Sequence, residues 1–133
     1  MILDYFLERQ PHHSDAEAII LHLANEDFIG YVSSITPVNT YYFGRKFKGA
    51  DHALKSVRRL VRLVEIAVAT KEVLQDAFML EFSDYEDAVQ CASAMAEGID
   101  AIVTRNTKDY ASSPIPVYSP VEFLEVLQNE SAI

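Results

Sequence analysis

The chain has 133 residues, half of them hydrophobic, and a formal net charge of −9. This length and composition predict one folded domain over residues 1–133 and disfavour an intrinsically disordered chain. The negative charge argues against a protein that coats nucleic acid by bulk electrostatics, although it allows a local basic patch. One cysteine permits no internal disulfide, which favours a reducing cytoplasm. The residues predict neither a membrane span nor a signal peptide.

Gly, Pro and capping residues divide the chain into alternating helices and strands. The predicted helices span residues 2–9, 15–26, 37–48, 50–64, 71–81, 84–97 and 121–128. The predicted strands span residues 31–35, 65–69, 101–104 and 116–118. Ser83-Asp-Tyr-Glu86 matches a capping box at the start of helix 84–97. This alternation predicts an α/β fold with a parallel sheet, with Tyr41, Tyr42 and Phe43 in the core.

The predicted helix 50–64 is amphipathic and lies in the most basic part of the chain. Seven of the eleven Lys and Arg residues lie between Arg45 and Arg62. We expect a buried apolar stripe made of Ala50, Ala53, Leu54, Val57, Leu60, Val61 and Val64. The opposite face carries Lys55, Arg58, Arg59 and Arg62. That face is either a solvated helix surface or a contact surface for a phosphate backbone or an acidic protein partner.

Polar residues follow the predicted strand 101–104 directly, in the segment Asp100-Ala-Ile-Val-Thr-Arg-Asn-Thr-Lys-Asp-Tyr110. In open α/β sheets, ligands bind just beyond the carboxyl ends of the strands. The preceding helix carries Asp84 and Asp87 three residues apart, on one face near its start. Carboxylates beside a cluster of Thr, Asn and Asp form an oxygen-rich site of the kind that hard divalent cations prefer.

These segments give the chain a resemblance to PIN domains, the fold of many toxin ribonucleases of bacterial toxin–antitoxin pairs. The resemblance rests on Asp84-Tyr-Glu-Asp-Ala-Val-Gln, the segment 100–110, Ser113-Pro-Ile-Pro-Val and Pro120-Val-Glu-Phe-Leu. It covers essentially the whole chain, and its C-terminal block is similar to a subgroup of VapC-like toxins. It implies a three-layer α/β/α sandwich with a parallel sheet.

The resemblance also implies which residues form the site. Asp87 and Asp109 match acidic positions that are catalytic and bind Mg²⁺ or Mn²⁺. Asn106 stands where many PIN domains place another acid, so it matches a metal-binding position without the charge. Asp84 is either the helix N-cap or an auxiliary metal ligand.

Three further residues match supporting positions of the family. Thr104 matches a small hydroxyl residue at the end of the strand. Asn39 stands where many members have a Glu, so that position has lost its charge. Asp4 matches a later acid of the family's opening motif, which is more often structural or helix-capping than catalytic.

The family's opening strand, which ends in Asp-Thr-Asn and is central in its sheet, has no counterpart here. The chain begins at Met1-Ile-Leu-Asp4, which matches only the tail of that motif. We therefore expect a parallel sheet without its central strand and a site without that strand's Asp. A start site placed too late, a truncated chain and a degenerate family member are the competing explanations.

The activity implied by the resemblance is Mg²⁺-dependent endoribonuclease cleavage of RNA phosphodiesters. Because Asn39 and Asn106 are neutral and the opening Asp is missing, we expect weak metal binding and weak or absent activity. The alternative is a non-catalytic PIN-like binding or regulatory module that binds an antitoxin or RNA.

Two further expectations concern the oligomeric state and the class of protein to which the chain belongs. We expect a homo-oligomer, because the gap in the sheet and the apolar first helix need cover. A receiver-type signalling domain is disfavoured, because the predicted strand 65–69 ends in Thr70-Lys71 where that class needs an Asp.

Overall fold

The computed structural model describes residues 1–131. Its helices are α1 Ile2–Phe6, α2 His13–Ala24, α3 Thr36–Lys48, α4 Ala50–Leu63, α5 Lys71–Ala77, α6 Tyr85–Ala96 and α7 Pro120–Ser131. Its strands are β1 Tyr31–Ser33, β2 Glu65–Ala67, β3 Ile102–Val103 and β4 Val117–Tyr118, and a 3-10 helix spans Thr107–Tyr110. The predicted order and type of the elements are confirmed. The strands are shorter than predicted, and the sequence did not predict the 3-10 helix.

Local capping explains where α6 and α7 begin. The Asp84 carboxylate accepts a hydrogen bond at 3.0 Å from the backbone N–H of Asp87, so Asp84 caps α6. The capping box predicted at Ser83–Glu86 is therefore wrong, because the cap lies one residue later. A reciprocal capping box occurs at α7 instead: the Ser119 N–H donates to Glu122 Oε1 at 2.8 Å, and the Glu122 N–H donates to Ser119 Oγ at 3.2 Å.

The four strands form two separate parallel pairs. In one pair, β1 lies beside β2 with Val32 opposite Ile66; in the other, β3 lies beside β4 with Ile102 opposite Val117. Within residues 1–131, no backbone pairing joins the two sheets, and residues 2–6 are helical. Among the described residues, no strand lies between β1 and β3.

Helices cover both sheets and hold them in one α/β/α fold, as predicted. Helices α3 and α6 contact β1, α7 contacts β4, and α2 contacts α7. One apolar cluster lies between α5 and α6 and consists of Val73, Ala77, Ala88, Val89 and Ala92. The small side chains of α6 allow it to pack closely on its neighbours α5 and β1.

Helices α3 and α4 form a closely packed hairpin that leaves an apolar outer surface. A Cβ atom on Gly44 would lie only 3.2 Å from the Cβ of Ala53, so a larger residue there would push the two helices slightly apart. Within the predicted apolar stripe of α4, only Ala53 and Leu60 are buried. The prediction is wrong for Ala50, Leu54 and Val61, which are exposed because α4 packs mainly against one neighbour, α3. The core prediction is also wrong for Tyr42 and Phe43.

Candidate functional site

Asp87 and Tyr110 form the centre of a polar site at the carboxyl end of β3. Asp87 lies in the first turn of α6, and its Oδ1 atom accepts a hydrogen bond from the Tyr110 hydroxyl at 3.1 Å. Gln90 Oε1, also 3.1 Å from the Tyr110 oxygen, is a second acceptor within reach of its one proton. Tyr110 is buried at the end of the 3-10 helix that follows β3. Its hydroxyl therefore fixes the position of Asp87 relative to the turn after β3.

The surroundings of Asp87 disfavour its negative charge. Burial raises the pKa of the Asp87 carboxyl, and the nearby charges of Asp84, Asp109 and Glu86 raise it further. The hydrogen bond from Tyr110 acts in the opposite direction and lowers it. Several acids therefore lie within electrostatic range of Asp87, an arrangement that a bound cation would stabilise.

The Tyr110 hydroxyl stays protonated in this environment. Burial, together with the negative charge of Asp87 and the hydrogen bond to it, raises the pKa of Tyr110 above its ordinary value. Tyr110 therefore acts as a hydrogen-bond donor throughout the physiological pH range. Tyr110 was not predicted as a site residue, although it closes the polar segment that follows the strand.

Asn39 and Glu86 join α3 to α6 beside Asp87. The Asn39 amide donates to Glu86 Oε1 at 2.9 Å, across 47 positions of the sequence. Asn39 stands where the resemblance placed a Glu, and here the carboxylate beside it comes from α6 instead. The sequence did not predict Glu86 as a site residue, because its spacing from Ser83 indicated a capping box. Its place in the acidic run Asp84–Asp87 was the available signal.

The turn after β3 carries the remaining predicted residues. The Asn106 N–H donates to Thr104 Oγ1 at 3.2 Å, and the Asp109 N–H donates to the Asn106 carbonyl at 3.0 Å. The side chains of Asn106 and Asp109 are exposed. The negative charge of Asp109 acts on Asp87, because it contributes to the raised pKa of the Asp87 carboxyl. The structure thus brings Asp84, Asp87 and Asp109 into one neighbourhood.

Asp4 lies at the same end of β3 but is engaged by cationic groups. Its side chain is buried, with Oδ1 at 3.2 Å from Arg105 Nη1 and Oδ2 at 3.5 Å from the Met1 amino group. Arg105 follows β3, so this ion pair connects the first helix to the end of that strand. Burial lowers the pKa of the Met1 ammonium group, while Asp4 raises it. Arg105 is therefore the more constant partner of Asp4.

The acids around Asp87 do not assemble a complete metal site. In residues 1–131, no three side chains of His, Cys, Asp or Glu converge as a ligand group. A hard divalent ion such as Mg²⁺ needs concentrated negative charge and near-octahedral oxygen ligands. The described residues therefore do not fit a tightly held resident ion by themselves.

A family model described as PIN domain matches residues 1–108. The chain belongs to the PIN domain family. PIN domains are generally nucleases that act on RNA or other nucleic acid and typically depend on divalent metal. The matched range of this PIN domain includes Asp87 and Asn106, whereas Asp109 and Tyr110 lie just beyond it. A search of curated proteins found no match.

The predicted basic face of this PIN domain lies on the surface of α4. Lys55, Arg58, Arg59 and Arg62 are all at least partly exposed. The Arg59 guanidinium lies 5.4 Å from the centre of the Tyr5 ring, so a cation–π contact holds it against α1. In the described residues, no helix has the length and hydropathy needed to cross a bilayer.

Replacement of the Tyr110 hydroxyl should raise the pKa of Asp87 further. Tyr110→Phe removes the hydrogen bond that stabilises the carboxylate, and we expect stability to fall by about 1 kcal/mol. Carbon-detected NMR titration of the Asp87 carboxyl measures the shift, with Tyr118→Phe as the matched control. An unchanged Asp87 pKa in Tyr110→Phe would contradict the role given to this hydroxyl.

The raised pKa of Asp87 also sets the direction in which the stability of the folded chain changes with pH. The folded chain holds a proton on Asp87 more tightly than the unfolded chain does. Asp87 therefore contributes most to stability at pH values below the pKa that its carboxyl has in the unfolded chain. This contribution is lost as pH rises through the higher pKa that the carboxyl has in the folded chain. Tyr110→Phe should extend this fall to higher pH, which urea unfolding across the acidic range measures.

Proposed function

We propose that this PIN domain acts on RNA phosphodiesters and is related to the Mg²⁺-dependent endoribonuclease toxins of toxin–antitoxin systems. We further propose that residues 1–133, taken alone, have weak activity or none. The observation that carries both statements is the acidic neighbourhood of Asp87, which gathers carboxylates at a strand end without closing a ligand set. One domain over residues 1–133 and a cytoplasmic location belong to the same proposal.

The proposed roles follow from position and charge. Asp87 and Asp109 are the catalytic carboxylates and, with Asp84 and Asn106, the residues nearest to a Mg²⁺ or Mn²⁺ position. Tyr110 orients Asp87 through its hydrogen bond, and the raised pKa of Asp87 keeps that group responsive to nearby positive charge.

Thr104 and Asn39 have supporting roles in this proposal. Thr104 shapes the turn after β3 by accepting the Asn106 N–H. Asn39 holds the Glu86 carboxylate beside α3, where it adds negative charge to the same neighbourhood. Asp4 is assigned a structural role, because Arg105 and the Met1 amino group engage its carboxylate.

Asp87→Asn should abolish the residual nuclease activity without harming the fold. The substitution removes a charge that its own surroundings disfavour, so we expect thermal stability at neutral pH to stay equal or to rise by about 2–4 °C. Single-turnover cleavage of a labelled RNA in Mn²⁺ should fall about 100-fold or to background. Calorimetric Mn²⁺ titration should show weaker binding in parallel.

Asp76→Asn is the matched control for this experiment, because Asp76 is an exposed acid on α5 away from the site. It should leave both cleavage and Mn²⁺ binding unchanged. Measurable cleavage by the original chain that Asp87→Asn leaves unchanged would show that the acidic neighbourhood is not the nuclease site.

A second candidate function is a non-catalytic module that binds an antitoxin or RNA. The specific observation in its favour is the basic face of α4, which is segregated on one side of the helix in a chain of net charge −9. Such a face attracts a phosphate backbone or an acidic protein segment and speeds association. This function requires no metal site, and a chain that does not cleave RNA would therefore not contradict it.

Charge reversal of the basic face should weaken RNA binding. We expect the variant with Glu at Lys55, Arg58, Arg59 and Arg62 to bind at least about tenfold more weakly at low salt. The salt dependence should also become shallower, by about one unit of slope for each phosphate that the variant no longer neutralises. Fluorescence anisotropy with a labelled single-stranded RNA measures both quantities.

Lys71→Glu is the control for the reversal, because Lys71 is an exposed cation on α5, outside the basic face. It should leave RNA affinity nearly unchanged. If the fourfold reversal binds RNA as the original chain does, the face is only a solvated helix surface.

The outer surface of the α3–α4 hairpin supports a homo-oligomer. Its exposed apolar side chains are Val38, Tyr42, Phe43, Phe47, Leu54 and Val61. Several large apolar side chains exposed on one pair of helices mark a protein contact in many proteins. We therefore propose that copies of the chain associate through this hairpin, with an antitoxin as a further partner.

Light scattering of the original chain at micromolar concentrations should give at least twice the monomer mass. The double variant Phe47→Ser and Leu54→Ser should shift that mass toward the monomer, because it removes apolar side chains that are exposed in the isolated chain. Ile29→Ser is the control, since Ile29 is exposed but lies outside the hairpin. A monomeric mass for the original chain would exclude the association.

A further inference from the structure

An exposed apolar surface lies where α5 is followed by α6. Phe78 is 73% exposed and Met79 is 83% exposed. Leu74 and Tyr85, which flank them in the sequence, are exposed as well. We call these four side chains the α5–α6 platform. Large apolar groups that are exposed together in this way mark a site of interaction.

Two contacts between side chain and neighbour fix the shape of the platform. The Phe78 and Tyr85 rings are stacked, with their centroids 4.6 Å apart and their planes at 22°. The Tyr85 hydroxyl donates a hydrogen bond to the Leu74 carbonyl at 2.8 Å, which connects α6 to α5. Because these rings are held in place before anything binds, association costs little of their conformational entropy.

The outer face of α5 carries the platform as a ridge. Val73 and Ala77 are buried in the apolar cluster between α5 and α6. Leu74 and Phe78 follow them and are exposed. Phe78 keeps a helical conformation at the C-cap of α5, so these two residues lie one turn apart on the same face. Ridges of this kind pack into the grooves of a second helix, and the platform therefore has the form of a helix-binding surface.

Negative charge surrounds the platform. Residues 72–104 contain eight Asp or Glu residues and no Lys, Arg or His. Five of these acids lie in the segment that carries the platform, and all five are exposed: Glu72, Asp76, Glu81, Asp84 and Glu86. A surface of opposite charge is attracted to such a ring of acids, and one of like charge is repelled. An apolar helix flanked by Lys and Arg therefore complements both the ridge and the charge.

The same charge disfavours other occupants of the platform. A phosphate backbone and an anionic membrane surface are negative, as the surrounding acids are, so both are repelled. Helix α4 of a second copy has a suitable charge, but it belongs to the hairpin through which copies of the chain are proposed to associate with each other. The platform is thus left for a different polypeptide.

We propose that the α5–α6 platform binds a basic amphipathic helix of a partner protein. The apolar stripe of that helix packs on Leu74, Phe78 and Met79, and its Lys and Arg side chains face the surrounding acids. Met79 adapts to apolar side chains of different shape, because the methionine side chain is unbranched and flexible. This binding requires neither RNA nor a metal ion, so it goes beyond the proposed nuclease function and does not depend on it.

Selection from a random peptide library tests this proposal. The library displays peptides of about 16 residues, enough for about four helical turns, and the original chain is the immobilised target. The selected peptides should contain more Lys and Arg than the library, with apolar residues at helical spacing. The most enriched basic peptide is then synthesised with a fluorescent label. Anisotropy should show saturable binding to the original chain that weakens with added salt.

Apolar variants assign this binding to the platform. The double variant Phe78→Ser and Met79→Ser should bind the labelled peptide at least about tenfold more weakly, because it removes the most exposed apolar side chains of the platform. The double variant Ile29→Ser and Val121→Ser is the matched control, since both residues are exposed and apolar but lie outside the platform. It should bind as the original chain does, and circular dichroism verifies that both variants are folded.

Charge variants test the role of the surrounding acids. Glu72→Lys combined with Glu81→Lys should weaken binding of the labelled peptide at least about fivefold, because it places cations beside the cations of the peptide. Glu125→Lys combined with Glu130→Lys makes the same change of net charge on the exposed surface of α7. This second pair should leave the affinity nearly unchanged.

Four results would overturn the proposal. Selection that enriches no peptide, or only peptides without Lys and Arg, would contradict the partner chemistry. Equal binding by the Phe78→Ser and Met79→Ser variant would place the binding elsewhere on the chain. A fall in the light-scattering mass of that variant without peptide would assign the platform to a second copy of the chain. A matching loss of affinity for single-stranded RNA would assign it to nucleic acid.

Discussion

The absence of backbone pairing between β1 and β3 is the constraint on which the rest of this PIN domain depends. A continuous sheet would fix the relative position of its halves through a ladder of hydrogen bonds. Within residues 1–131 each sheet has two strands, so helices must align them. Packing of α3 and α6 on β1, of α7 on β4 and of α2 on α7 performs this task. The Asp4–Arg105 ion pair adds one polar connection across the gap.

The properties of the site follow from this arrangement of two separate sheets aligned by helices. Asp87 comes from α6, on the β1 side of the gap, whereas Asp109 and Tyr110 come from the turn after β3. The 3.1 Å hydrogen bond from Tyr110 to Asp87 therefore connects parts of the molecule that no sheet ladder in the described chain aligns. Burial and neighbouring acids raise the pKa of Asp87, so the negative charge of Asp87 costs free energy in the folded chain. The close packing of α5 and α6 offsets this cost.

The gap in the sheet and the incomplete ligand set lie at the same place. Asp4, Asn39, Glu86, Thr104 and Tyr110 all line the gap between the two sheets, toward the carboxyl ends of the strands.

The sequence by itself determined the order of helices and strands, the acidic segment around Asp87 and the segregation of Lys55, Arg58, Arg59 and Arg62 on one face of α4. These features depend on local periodicity, capping and turn residues, which act over a few positions.

Only the tertiary structure decided the contacts between distant residues. The Asn39–Glu86 hydrogen bond spans 47 positions and the Asp4–Arg105 pair spans 101, so no local pattern predicts them. The exposure of Leu54 and Val61 was likewise undetermined, because helical periodicity shows which face is apolar but not how much of it a neighbour covers. The position of the Tyr110 hydroxyl between Asp87 and Gln90 depends on the packing of the 3-10 helix against α6, which the folded chain alone defines.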